Sequence, residues 1–165
     1  MKIVMLLSLL LLASMGSNAQ TLQIERIDVV EYGLFTAITT SQEAADTATG
    51  TASALTEIRH AATTRTVPAQ QGVTFGFRFT VVGAPVGANV QLHFVTVYPT
   101  PGLRNPATQE LKTLGEYDHS VTIGESSYRG YSLDYDWEVV PGIWTLQIWY
   151  QDRKLAEQQF TVVRQ

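Results

Sequence analysis

Three histidines stand in the chain, His60, His93 and His119. Each is isolated in its own run of sequence, with no second histidine at ligand spacing, so no zinc-type site is spelled out. Cysteine is absent altogether. Its absence excludes disulfides, thiolate metal centres and a cysteine nucleophile. No Gly-x-Ser-x-Gly elbow lifts a Ser-His-Asp arrangement above chance, and no glycine-rich phosphate loop is present. The sequence therefore assigns no catalytic residue, no metal ligand and no cofactor.

One charged constellation has a geometric consequence. Asp134, Asp136 and Glu138 alternate with Tyr135 and Trp137. On an extended strand every second residue shares a face, which would set these carboxylates roughly 7 Å apart in succession. Such a row could hold calcium, a cation that takes clustered oxygen ligands. The spacing lacks the central glycine and distal glutamate of a calcium-binding helix-loop-helix. A solvated face, or a charged edge that blocks strand addition, explains the same residues. The aromatic residues nearby (Tyr128, Tyr131, Tyr135 and Trp137, with Trp149 from a later run) suggest sugar binding, with acids for the hydroxyl groups. Core packing competes with this, because Tyr131, Tyr135 and Trp137 would share a face with Leu133, as half-buried strands prefer. Trp149 falls on the face opposite Trp144, so its exposure would mark a second packing surface or a ligand site. The candidate ligand-binding residues are thus Tyr128, Asp134, Asp136, Glu138 and Trp149.

The elements that must position these residues read as strands. From Pro141 to Val163 two alternating runs flank the polar turn Gln151-Asp152-Arg153-Lys154, the sequence form of an antiparallel hairpin. Trp144, Leu146, Ile148 and Tyr150 fall on one face of the first run; Ala156, Gln158, Phe160 and Val162 share a face of the second. Val73, Phe75, Phe77, Phe79 and Val81 form the clearest alternation, and Val90, Leu92, Phe94, Thr96 and Tyr98 the next. Between these two runs, Gly83-Ala84-Pro85-Val86-Gly87 is turn chemistry. Weaker strands are expected over Ile58–Val67, Lys112–Ile123 and Tyr128–Glu138. In Leu22–Ala37 the alternation slips around Asp28–Val30 and Gly33 interrupts it, which suggests a bulge or a strand that changes partner. Thr39–Ala54 is almost all Thr, Ala and Ser and is expected to be a mobile loop, with a short Ala-rich helix over Gln42–Ala48 as the alternative. Pro99–Glu110 reads as a second long loop.

About eight strands at this spacing, with no competing helical period, give an all-β fold: an immunoglobulin-like antiparallel β-sandwich. At 165 residues with 45% hydrophobic composition, one domain with a real core is expected. The formal net charge of −4 argues against nucleic acid or an anionic membrane as a partner. Lys2, the apolar run Ile3–Leu12 and the Ser17-Asn18-Ala19 site form a secretory signal peptide over residues 1–19, leaving a domain over residues 20–165 with no transmembrane segment. The run is about half the ~20 residues needed to span a bilayer. The expected location is periplasmic or extracellular, in a bacterium.

A set of short motifs extends this picture. Ile24-Glu25-Arg26-Ile27 with Glu31-Tyr32-Gly33, Phe75-Gly76-Phe77-Arg78, Pro101-Gly102-Leu103-Arg104 with Asn105-Pro106-Ala107-Thr108, Pro141-Gly142-Ile143-Trp144 and Ile148-Trp149-Tyr150 are spread along most of the chain. On these the chain resembles an uncharacterised bacterial exported family, domain of unknown function 3859. The resemblance implies an exported single-domain protein and carries over no activity, cofactor or catalytic residue. The leading expectation is a non-catalytic interaction or structural module of the cell envelope, with another envelope protein as partner and contacts made by the Thr39–Ala54 and Pro99–Glu110 loops. The alternative is a small-ligand module for sugar or calcium on the Tyr128–Glu138 strand. A hydrolase comes third and would need a concave pocket lined by a histidine and a carboxylate.

Overall fold

The fold is described by a computed structural model over residues 21–164; the signal-peptide reading falls on residues outside that range. Phe75, Phe77 and Phe79 lie on β4 (Thr74–Ala84) and are all fully buried. They face Leu92 and Phe94 of β5 (Asn89–Val97), which are buried to within 1%. Trp144, Leu146 and Ile148 of β10 (Gly142–Tyr150) and Phe160 of β11 (Arg153–Val163) complete the centre. The period of 2 read from the sequence is therefore the core pattern: each of these four strands turns its apolar side inward. Trp144 packs edge-on against Phe75 and Tyr98, with centroids 5.8 and 5.5 Å away. Its indole N–H donates to the Val140 carbonyl at 3.0 Å, so the one polar atom of the ring is satisfied.

Two sheets enclose this core. One has the order β2-β1-β4-β9, with β1 at Gln23–Ala44, β2 at Thr51–Ala62 and β9 at Ser126–Ser132. The other has the order β3-β11-β10-β5-β8, with β3 at Thr66–Pro68 and β8 at Leu114–Thr122. A small ribbon joins β6 (Leu103–Arg104) to β7 (Leu111–Lys112). Every pairing is antiparallel except the short β3, which runs parallel to β11. The chain is an all-β, immunoglobulin-like sandwich. Eight of the strands have seven residues or more.

The slip read in the first strand has both of its physical meanings. The β1/β4 register shifts between Val29 and Glu31, leaving Val30 61% exposed. β1 then changes partner, pairing with β4 as far as Phe35 and with β2 from Leu34 onward. Gly33 sits at the change, at φ +135°, where a Cβ would stand 1.9 Å from the Ala62 carbonyl oxygen. Only glycine allows that approach.

Thr39–Ala54 is neither a loop nor a helix: β1 continues to Ala44 and β2 begins at Thr51, so only Ala45–Gly50 turns. Thr-rich sequence is compatible with a paired, exposed hairpin, where β-branched side chains suit the extended backbone and no large apolar face is required. Ile58–Val67 is split between β2 and β3, and Lys112–Ile123 between β7 and β8. Within Pro99–Glu110, Leu103 is buried and paired, so that loop is partly core.

Candidate functional site: a cleft beneath the β1/β2 arm

Tyr128–Glu138 is not one strand. β9 ends at Ser132, and Asp136–Glu138 form a single 3-10 turn. The expected row of three carboxylates on one face therefore does not exist. Asp134 and Asp136 are exposed, whereas Glu138 is turned inward and only 1% exposed. Its carboxylate accepts the Tyr131 hydroxyl at 2.5 Å and the Tyr135 N–H at 2.9 Å. Burial raises the Glu138 pKa to about 6, partly offset by those two hydrogen bonds. Burial also raises Asp134. No group of three or more His, Asp or Glu side chains able to hold a metal ion occurs among the described residues. The turn removes the geometric basis of the calcium site.

Trp149 lies away from this region, in the second sheet. It is half-buried, donates its indole N–H to Gln147 at 2.8 Å and carries Lys154 5.9 Å above its ring. These intramolecular contacts make it part of a sheet surface, separate from the other four candidates.

The partner exchange of β1 builds a cleft that the strand pattern gave no sign of. Beyond Phe35 the β1/β2 hairpin leaves β4 as an arm and reaches across to the second sheet. Asp46 at its tip forms an antiparallel bridge with Glu116 of β8 and an ion pair with Lys112. The Ala48 N–H donates to the Tyr98 hydroxyl at 3.1 Å, and Asn105 donates its side-chain amide to the Ala48 carbonyl at 2.9 Å. At the root of the arm, Arg78 donates to the Ile58 carbonyl at 3.1 Å and to Glu31 at 3.1 Å. Between the arm and the two edge strands β8 and β9 lies a cleft of about 650 Å³. That volume is within the range of ~300–1,000 Å³ usual for small-molecule sites.

The cleft gathers residues remote in sequence. Tyr128, Asp134 and Glu138 line it; Asp136 and Trp149 do not. Hydroxyls are abundant on its walls: Thr47, Thr49, Ser53, Ser120, Ser126 and Ser127 among them. Tyr135 stands in the wall 47% exposed, stacked on Trp137 at 5.8 Å and 12°. The floor holds Arg129, which is only 1% exposed. Its guanidinium lies over Phe94 at 5.1 Å and Tyr117 at 5.6 Å. The Tyr128 hydroxyl is buried without a hydrogen-bond partner among the described residues, and burial raises its pKa. A cross-strand row of glycines explains its position. Gly33, Gly76 and Gly130 are in register across β1, β4 and β9, and the Tyr128 hydroxyl lies over Gly130, where a Cβ would meet it at 2.0 Å. Phe35 packs edge-on against the Tyr128 ring at 4.9 Å.

The histidines stay apart. His93 bridges Asp118 at 2.8 Å and Glu116 at 3.3 Å on the outer face of the second sheet. His60 contacts Glu31 at 3.5 Å. His119 lines the cleft beside Phe94, and partial burial, followed by the nearby Arg129 charge, lowers its pKa. A histidine and carboxylates thus share a concavity. Yet the histidine side-chain hydrogen bonds found among the described residues belong to His60 and His93, so no nucleophile–base chain runs through His119.

Arg129 is a cleft residue that the sequence reading does not name, and Tyr135, named there among the aromatics and weighed as core packing, is instead exposed in the cleft wall. Arg129 occupies an inward position on a strand, which is the signal that could have marked it: a charge in the alternation where an apolar residue belongs.

No helix among the described residues is long and apolar enough to cross a membrane. A search of curated proteins gives no match. The fold is similar to the 1.50 Å crystal structure of an immunoglobulin-like protein from Pseudomonas aeruginosa, with 26% identity, a TM-score of 0.60, and coverage of 87% of this chain and 97% of that one. Residues 23–162 match the family described as Domain of unknown function (DUF3859). The motifs of the first strand, of β4 and of the closing hairpin lie within that match, and the chain belongs to the domain of unknown function 3859 family.

Proposed function

We propose that this protein is a non-catalytic, exported binding module of the bacterial envelope that takes a small hydroxyl-rich ligand, of which a sugar is the best fit, in the cleft beneath the β1/β2 arm. The observation that carries this is Tyr135, 47% exposed in the wall of a cleft of about 650 Å³. An exposed ring backed by Trp137 at 5.8 Å is a rigid apolar face of the kind that packs on the C–H side of a sugar. The surrounding Ser, Thr and Tyr hydroxyls can donate to or accept from ring hydroxyls without fixed charge. The cleft lies between two sheet edges and a hairpin, so its walls are backbone-braced while the arm can yield. Export rests on the sequence pattern of residues 1–19.

The test is binding of a panel of neutral and acidic mono- and disaccharides, followed as thermal stabilisation of the wild type and of Tyr135→Ala. A ligand at 100 times its Kd adds ~2.7 kcal/mol. Tyr135→Ala is expected to abolish the shift while changing the unliganded stability by less than ~0.5 kcal/mol, because the ring is exposed. Binding that survives the substitution overturns the site. A flat panel overturns the sugar reading and leaves a protein partner as the interaction to pursue.

A further inference from the structure

Arg129 presents an unbalanced charge. Its guanidinium donates to the Gly130 carbonyl at 2.8 Å and to the Thr96 hydroxyl at 2.5 Å. Its Nε–H, buried, has no partner among the described residues. None of the ion pairs found among the described residues includes it. A cation removed from water is ordinarily paired with an anion or ligates one. The Phe94 and Tyr117 rings offset part of the lost hydration, and they also hold the fork rigidly in place. Neither ring can accept the in-plane N–H bonds that a guanidinium prefers. Glu138, the buried carboxylate of the same cleft, is already occupied by Tyr131 and Tyr135.

We propose that Arg129 is an anion-binding residue whose missing counter-ion is the carboxylate of the ligand, so that the cleft takes an acidic small molecule, a uronic acid if the sugar reading holds. The inference rests on the cleft as the site, but not on the sugar. A carboxylate fits better than a phosphate. Its single charge and planar pair of oxygens match the Nε edge of the fork. Glu43, Asp134 and Glu138 also line the cleft and would oppose a dianion. Arg129 is 1% exposed, so a ligand reaches it only by displacing the side chains that screen it. Association is then slower than for a preformed open site.

Two matched pairs of probes test this: D-glucuronate against D-glucose, and propionate against propionamide. The readouts are melting temperature, calorimetric Kd and the NMR resonance of the Arg129 Nε–H, in wild type, Arg129→Gln and Arg129→Met. The expected result is that the charged member of each pair binds at least tenfold more tightly than its neutral partner. It should also shift the Nε–H resonance, and both substitutions should erase the preference. Propionate acting while glucose and glucuronate are silent would retain the carboxylate site and discard the sugar. Glucose binding as well as glucuronate would retain the sugar cleft and overturn the role of Arg129. Silence of all four probes overturns both. The unliganded variants give an independent arm. Arg129→Met is expected to melt at or above the wild-type temperature, because it replaces an unpaired buried charge with an apolar chain of similar length. A fall of several degrees would make Arg129 a structural cation and overturn the proposal.

Discussion

Glu138→Gln should make the protein more stable at neutral pH, and its magnitude follows from the burial of the side chain. Glu138 is 1% exposed, and burial raises its pKa from the usual 4.5 to about 6. A folded-state pKa above the unfolded value means that the folded state holds the proton more firmly. Stability from this group is therefore greatest at pH below 4.5 and falls as pH rises through the window from 4.5 to about 6, then levels off. A tenfold difference in proton affinity between the folded and unfolded states is worth ~1.4 kcal/mol, so the carboxylate costs about 2 kcal/mol at pH 7 relative to pH 4. Glutamine keeps the shape and removes the charge. Its amide oxygen can accept the Tyr135 N–H, and its NH2 can donate to the Tyr131 hydroxyl, which reverses from donor to acceptor. Both contacts of the side chain at position 138 are kept. The expected gain at pH 7 is about 1–2 kcal/mol, which for a domain of this size is a few degrees in Tm. The assay is urea unfolding of both proteins from pH 4 to pH 8. The wild type should lose stability between pH 4.5 and about 6 more than the variant does, and the two curves should converge near pH 4. A variant less stable than wild type at pH 7, with an unchanged pH profile, would refute the reasoning and show that the carboxylate is net stabilising as a charge.

Phe77→Ala removes a fully buried ring from the middle of β4, between Tyr32 of β1 and Arg129 of β9 in register. It should cost ~3–5 kcal/mol, measured as a fall in the urea midpoint with an unchanged slope. Asn105→Ala deletes the hydrogen bond that the side-chain amide donates to the Ala48 carbonyl, and the side-chain oxygen that accepts the Ala107 and Thr108 N–H groups. It should loosen the arm tip locally, seen as faster hydrogen exchange over Ala45–Thr51 with little change in the β4 and β10 amides. Equal acceleration throughout would mean that the arm is integral to the sandwich.

The period-2 alternation of β4, β5 and β10, visible in the sequence alone, determined the sandwich. An alternating apolar side is stable only when buried against another layer, and with no helical period elsewhere in the chain that layer is a second sheet; the alternation itself is a local property of Phe75–Val81 or Trp144–Ile148. The slip at Asp28–Val30 and the interruption at Gly33 were legible for the same reason: a bulge and a close backbone approach each disturb the local pattern. Tyr128, Asp134 and Glu138 were legible as chemistry-bearing side chains. Their geometry was not, because a 3-10 turn and a strand both accept Asp-Tyr-Asp-Trp-Glu, and only the burial of Glu138 against Tyr131 chose between them. The arm was illegible because its strands bury no apolar face. Its conformation is decided by a hairpin ladder and by Asp46, Ala48 and Asn105, contacts spanning 50 residues or more in sequence. The cleft exists only because that arm lands on the second sheet, a fact of tertiary structure that no local pattern encodes.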